Sequence, residues 1–198
     1  MSTYLVDDHS GVTLAFSTSS PQASVAIISV AGALLWSSAE LAPQGASAAL
    51  TKLLEAGLKA TNVKLIDVSS FAVDLGPGSF TGVRVGIVFA KVLAFAQEVH
   101  VRGATAFDLI APDRTAFVPS RRGEVLVRVP GEPPYRTDTP PLGSFGYEYG
   151  LPGQFPDAGS FAGLLPSLPT LEPYEVLPAY FAEPSISVPK HPFAERRG

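Results

Sequence analysis

The chain has 198 residues, of which 46% are hydrophobic, with a formal net charge of -4 and no cysteine. That size and apolar content suffice for a buried core, so a globular protein is expected. The absence of cysteine excludes disulfides, thiolate zinc sites and cysteine nucleophiles. Basic residues fall singly or in pairs, which argues against autonomous binding of a phosphate backbone.

Residues 1–10 include Asp7 and Asp8 and have neither a basic start nor an apolar run, so no secretory signal is expected there. The longest apolar stretch, Val85 to Ala96, is interrupted by Lys91 and falls short of the roughly 20 residues of a membrane span. A cytoplasmic protein without a membrane span is the expectation.

Val12–Phe16 and Ser24–Val30 are rich in β-branched and aromatic residues around the turn-forming Ser17–Gln22, and read as a hairpin. Ala31-Gly32 turns the chain into a third strand, Ala33–Ser38, which completes an antiparallel meander. After a loop near Pro43, Leu50, Leu53, Leu54, Gly57 and Leu58 have the spacing of an amphipathic helix. Val68–Val73 reads as a strand, residues 76–82 as a glycine turn, and Val83–Glu98 as a helix. Val99–Arg102 should return to the sheet, and Ala104–Ala111 should form a short helix. The order β-β-β-α-β-α is that of an actin-like, ribonuclease-H-like α/β lobe.

Composition changes near Ile110: of 19 prolines, only Pro21, Pro43 and Pro77 precede it. Thr115–Val118 and Glu124–Val129 read as a strand pair, and beyond Pro130 the prolines suggest irregular chain. The expected organisation is an N-terminal lobe over 1–111, a reduced proline-rich second lobe over 112–183, and a flexible tail over 184–198.

His9, His100 and His191 are far apart and none has a second histidine at ligand spacing, so no metal site and no cofactor are expected. The segment Gly76-Pro77-Gly78-Ser79-Phe80-Thr81-Gly82 precedes a helix, where backbone amides can receive an anion. It matches neither the Walker A loop nor the dinucleotide fingerprint. Two readings stand: an anion site at Gly76, Gly78, Ser79, Thr81 and Gly82, or a structural turn. In the structural turn, Gly76 and Gly78 take positive φ, Ser79 or Thr81 caps the helix, and Gly82 and Gly86 permit close packing. Ser79 lacks a nucleophile elbow and an evident histidine base, so no catalytic residue is assigned.

The helix after this turn carries Val83, Val85, Ile87, Val88, Phe89, Val92, Leu93 and Phe95 around nearly its whole circumference. One sheet can cover only one side of such a helix. Either the two helices simply pack together over one sheet, or they form half of an intermolecular bundle.

Leu75 to Gly86, which contains the Gly-Pro-Gly-Ser-Phe-Thr-Gly segment, resembles the signature of the TsaB (YeaZ) family. Leu14–Ser20 before Ser24-Val25-Ala26, Arg121-Arg122-Gly123-Glu124-Val125 and Leu177-Pro178-Ala179-Tyr180-Phe181 agree with that family in order and spacing. The resemblance implies an actin-like (ASKHA) fold and a place in the bacterial machinery for threonylcarbamoyladenosine modification of tRNA. It implies a non-catalytic subunit that activates a TsaD-like catalytic subunit through its two-helix face. A TsaE-like ATPase would join the complex, tRNA would be met only through it, and homodimers can form through related surfaces. Carried over by position, the partner face should comprise Val83, Arg84, Ile87, Val88, Lys91 and Phe95, with Leu50, Leu53 and Leu54 from the first helix.

The chain also departs from the family pattern. Ser17-Thr18-Ser19 stands where an Asp-Thr-Ser is usual, Pro119-Ser120 displaces an aspartate before the double arginine, and Gly45-Ala46 replaces a histidine entering the first helix. The missing acid at 17 argues against nucleotide hydrolysis. Competing readings are an actin-like nucleotide-binding ATPase or phosphotransferase, a homodimer-only divergent homologue, and a peptidase for which no mechanism is visible.

Overall fold

A computed structural model describes residues 11–42, 45–121, 123–148 and 153–181. The expected tail over 184–198, His9, His191, Pro43 and Arg122 lie outside the described residues.

The first sheet contains β1 (Val12–Ser17), β2 (Gln22–Ser29), β3 (Leu34–Leu41), β4 (Val68–Asp74) and β5 (His100–Ala104), in the spatial order β3-β2-β1-β4-β5. β1, β2 and β3 pair antiparallel, while β4 and β5 run parallel to β1. This is the α/β order of an actin-like lobe, and the meander, the helix and the returning strands lie where their residue patterns place them.

Alternation sorts the sheet residues by face. Leu14, Phe16, Val25, Ile27, Phe71 and Val73 form one core with helices α1 (Ala46–Thr61) and α2 (Phe80–Gln97). Ala15, Ala26, Ile28 and Ala72 face the other side, where Leu109, Ala158, Phe161 and Leu165 cover them. That second cover comes from helix α3 (Ala106–Ile110), a 3-10 turn at Ala158–Ser160, helix α4 (Phe161–Leu164) and a 3-10 turn at Leu165–Ser167.

The second sheet has the order β8-β7-β6-β9, with β6 (Ala116–Pro119), β7 (Val125–Arg128), β8 (Tyr135–Thr137) and β9 (Phe145–Gly146). The strand pair expected after Thr115 is β6 and β7. The chain beyond Pro130, expected to be irregular, instead adds two short strands and several helical turns. Phe107 and Ile110 of α3 pack with Val118, Leu126 and Tyr147 and join the two sheets.

By length and composition α2 is apolar enough to cross a membrane. Its Gly82, Val83, Gly86, Ile87, Ala90 and Ala94 are buried, while a third of that span in all is buried.

Candidate functional site

The turn between β4 and α2 is built around a buried carboxylate. Asp74 is 1% exposed at the end of β4, and its Oδ2 accepts hydrogen bonds from Ser17 Oγ at 2.7 Å and Ser19 Oγ at 2.5 Å. Its Oδ1 accepts from the Gly76 amide at 2.8 Å. Burial raises the carboxyl above its ordinary pKa of 3.8, and the hydroxyl and amide donors oppose that rise. Tyr147, 3% exposed, has its phenol pushed up chiefly by burial and secondarily by Asp74. An acid is therefore absent at Ser17 itself, but a carboxylate from the neighbouring strand fills the same corner. Asp74 escaped the sequence reading; its only signal was an acid ending an apolar strand before a glycine turn.

The glycines of the turn serve contact with the β1–β2 connection. A Cβ on Gly78 would lie 2.1 Å from the Ser19 carbonyl oxygen, and one on Gly82 would lie 2.0 Å from that of Thr18. Gly76 has φ +85°, whereas Gly78 is outside the positive-φ glycines, so its requirement is space rather than backbone conformation. Ser79 is the N-cap, its Oγ accepting from the Gly82 amide at 3.2 Å; Thr81 is exposed in the first turn. The Ser79 amide donates to the Ser19 carbonyl at 2.6 Å. Donors at Gly76, Ser79 and Gly82 are thus engaged by the chain, and this geometry favours the structural reading of the turn over the anion site.

The two-helix face is corrected at five positions. Leu50, Leu53 and Leu54 are 0%, 5% and 7% exposed, because the leucine stripe of α1 is the side that packs on the sheet. Val83 and Ile87 are 5% and 4% exposed for the same reason on α2. Lys91 is half-buried and donates to the Val176 carbonyl at 3.2 Å, tying down the segment that follows Leu171. Arg84 is exposed, lies 3.7 Å over the Phe80 ring, and meets Tyr180 Oη at 3.3 Å.

What remains outward is an apolar ridge: Phe80, Val88, Val92 and Phe95 are 60%, 58%, 61% and 79% exposed. Between α1 and α2 this ridge borders a groove of about 600 Å³ that includes Ser47, Val85, Phe89 and Leu93. Phe89 forms its floor, edge-on to Phe16 with ring centroids 5.2 Å apart. The sequence reading named Val88 and Phe95 but left Phe80 and Val92 out of the face.

On the other side of Arg84, a cleft of about 710 Å³ lies between the signature turn, β6 and β7, and residues 178–181. Arg84, Arg121 and Arg136 line it together with Phe80 and Tyr180. Among the described residues, no group of three or more His, Asp or Glu side chains is arranged to hold a metal ion. His100 is half-exposed beside Glu172, at 3.2 Å.

Residues 39–112 match the profile of the family described as TsaD: tRNA N6-adenosine threonylcarbamoyltransferase. The chain is 33% identical over 66 residues to the tRNA threonylcarbamoyladenosine biosynthesis protein TsaB of Bacillus subtilis strain 168, covering 30% of this chain and 29% of that protein. It is 33% identical over 72 residues to the protein of the same name from Escherichia coli K12, covering 36% and 31%. The matched stretches thus span less than a third of these curated relatives. In three dimensions the chain resembles YeaZ from Pseudomonas aeruginosa with a TM-score of 0.68 at 24% identity, over 86% of this chain and 99% of that one. A second solved chain, described as an uncharacterized protein with similarity to peptidase YeaZ from Pseudomonas aeruginosa, gives 0.68 at 23% identity, over 87% and 100%. At these identities the structural likeness shows the fold alone.

Proposed function

We propose that the chain is a member of the TsaB (YeaZ) family, which it resembles over part of its length, and that it serves tRNA threonylcarbamoyladenosine biosynthesis as a non-catalytic subunit. It docks on a TsaD-like catalytic subunit through the outer face of α2, and meets a TsaE-like ATPase and tRNA only in that assembly. The observation that carries this reading is the exposed ridge of Val88, Val92 and Phe95 beside an apolar groove. A run of large apolar side chains held on a rigid helix is the physical form of a helix-face interface. The seating of Asp74, Ser17 and Ser19 among one another supports the non-catalytic part, because these groups are buried in mutual hydrogen bonds.

Light scattering after size exclusion, on the chain mixed with the TsaD-like subunit of its own organism, tests this proposal. The wild type should form a heterocomplex. Val88→Asp with Phe95→Asp should remain folded and lose the complex, since unpaired carboxylates at an apolar contact cost roughly 3 kcal/mol or more, over about 100-fold in Kd. A wild type that ignores the partner and dimerises with itself would replace this reading with the homodimer one.

A second reading, nucleotide binding, has one observation in its favour: Arg84, Arg121 and Arg136 border the same cleft. Calorimetric titration with ATP and magnesium decides it, and absence of heat would remove it.

A further inference from the structure

Three arginines that lie far apart in the sequence meet in the cleft beside the signature turn. We propose that this cleft binds a nucleotide without a metal ion, with Arg84 and Arg136 on the phosphate and Tyr180 against the base. The inference deepens the nucleotide reading and rests on it for the place of the site; docking on a partner through Val88 and Phe95 is independent of it.

The cations come from three separate elements: Arg84 from the second turn of α2, Arg121 from the β6–β7 connection and Arg136 from β8. Scattered along the chain they give no basic run, so the sequence carries no sign of their meeting. The cleft of about 710 Å³ that they line falls within the usual size of a small-ligand site. Its described lining contains no Asp, Glu or His. Guanidinium groups stay protonated at any working pH, so the site is positive throughout. Among the described residues, Arg128 has the Asp108 carboxylate as a partner, whereas neither Arg84 nor Arg136 is in an ion pair.

Arg84 is also held in place before any ligand arrives. Its guanidinium lies 3.7 Å over the Phe80 ring, and its Nε and Nη2 meet Tyr180 Oη at 3.4 Å and 3.3 Å. Nη1 has no partner among the described residues and is left to donate to an anion. A guanidinium ordered in advance loses less freedom when it binds.

Charge alone would suit any anion, and the aromatic walls narrow the class. Tyr180 and Phe181 line the same cleft and are 59% and 38% exposed. A π face beside guanidinium groups takes a base by stacking and its phosphate by charge-assisted hydrogen bonds. The missing acids decide the question of the metal. Magnesium at a nucleotide site is shared between phosphate oxygens and one or two carboxylates. Here no carboxylate lines the cleft, and the guanidinium groups compete with the ion for the same oxygens. A free nucleotide and the end of a single-stranded RNA share this chemistry.

Equilibrium dialysis of the full-length chain against ADP, and separately against a short oligoadenylate, each in EDTA and again with excess magnesium, tests the proposal. Binding should occur in EDTA, and magnesium should weaken that of ADP about fivefold or more. Arg136→Ser and Tyr180→Ala should each weaken metal-free binding about tenfold. Both side chains are exposed, so urea midpoints should stay at the wild-type value. Lys52→Ser removes an equal charge from α1 and should leave binding unchanged. Tighter binding of the oligoadenylate than of ADP would give the cleft to an RNA end, and the reverse order to a free nucleotide. No binding of either ligand in EDTA, equal loss in Arg136→Ser and Lys52→Ser, or displacement by inorganic phosphate as readily as by ADP would each overturn the proposal. Binding that requires magnesium would overturn it too, while leaving the nucleotide reading in place. Binding in EDTA without any heat from ATP and magnesium would sustain it and remove that reading.

Discussion

The two faces of α2 are built from similar apolar residues and put to opposite uses. On the inner face, Gly82, Gly86, Ala90 and Ala94 recur every four residues, with Val83 and Ile87 between them, and all are buried. Small residues at this spacing form a flat stripe that lets the helix approach β4 and the β1–β2 connection closely, as the contacts of Gly82 with the Thr18 carbonyl and of Gly86 with Thr18 and Val73 show. On the outer face, Phe80, Val88, Val92 and Phe95 are large and exposed. Hydrophobicity alone cannot separate the faces, since Ile87 and Val88 are neighbours of nearly equal character, 4% and 58% exposed. The four-residue repeat of Gly82, Gly86, Ala90 and Ala94 marks the side that packs inward, and the outer ridge stays available for contact with another surface.

Substitutions that reverse this division should have the largest effects. Ile87→Asp places a carboxylate in the core without a partner and should cost about 4 kcal/mol or more, enough to leave the chain largely unfolded by circular dichroism. Near-native stability would mean that the inner face is not packed as described. Gly82→Ala sets a methyl group against a backbone carbonyl and should lower stability by about 3 kcal/mol in urea titration.

Asp74, beneath the same turn, sharpens the comparison through pH. Its carboxyl is raised above 3.8 in the folded state, so above that value the native chain holds a proton that the unfolded chain releases. The contribution of Asp74 to stability therefore falls as pH rises from about 4 toward its folded value. Urea midpoints should show the wild type losing ground to Asp74→Asn across that rise, and a difference independent of pH would contradict the shift. The smallest effect on stability belongs to the outer face: Val88→Asp should change it by less than about 0.5 kcal/mol. A larger loss would show that the ridge is part of the core.

Much of the first sheet was legible because its strands alternate or run apolar between turn residues, and because α1 keeps its leucines on one stripe. α2 begins at Phe80 rather than Val83, since Ser79 caps it with a side chain that pattern alone does not orient. β8 and β9 were missed for a different reason. They have three and two residues, too few for any periodicity, and owe their form to pairing with β7 and β6. The partner face was half legible: an over-apolar helix was evident, and the four-residue spacing of its glycines and alanines was the overlooked signal that orients it. Asp74 could not be ranked above other acids without knowing that β1 would bring Ser17 and Ser19 to it across 57 and 55 residues.

The most direct test is threonylcarbamoylation of a substrate tRNA by the TsaD-like catalytic subunit with its ATPase, supplied with no added chain, wild type, or the Val88→Asp, Phe95→Asp variant. The account predicts that modification depends on the wild type and drops by about 100-fold or more with the variant at limiting concentration, while the chain alone modifies nothing. Equal modification in all three mixtures would contradict it.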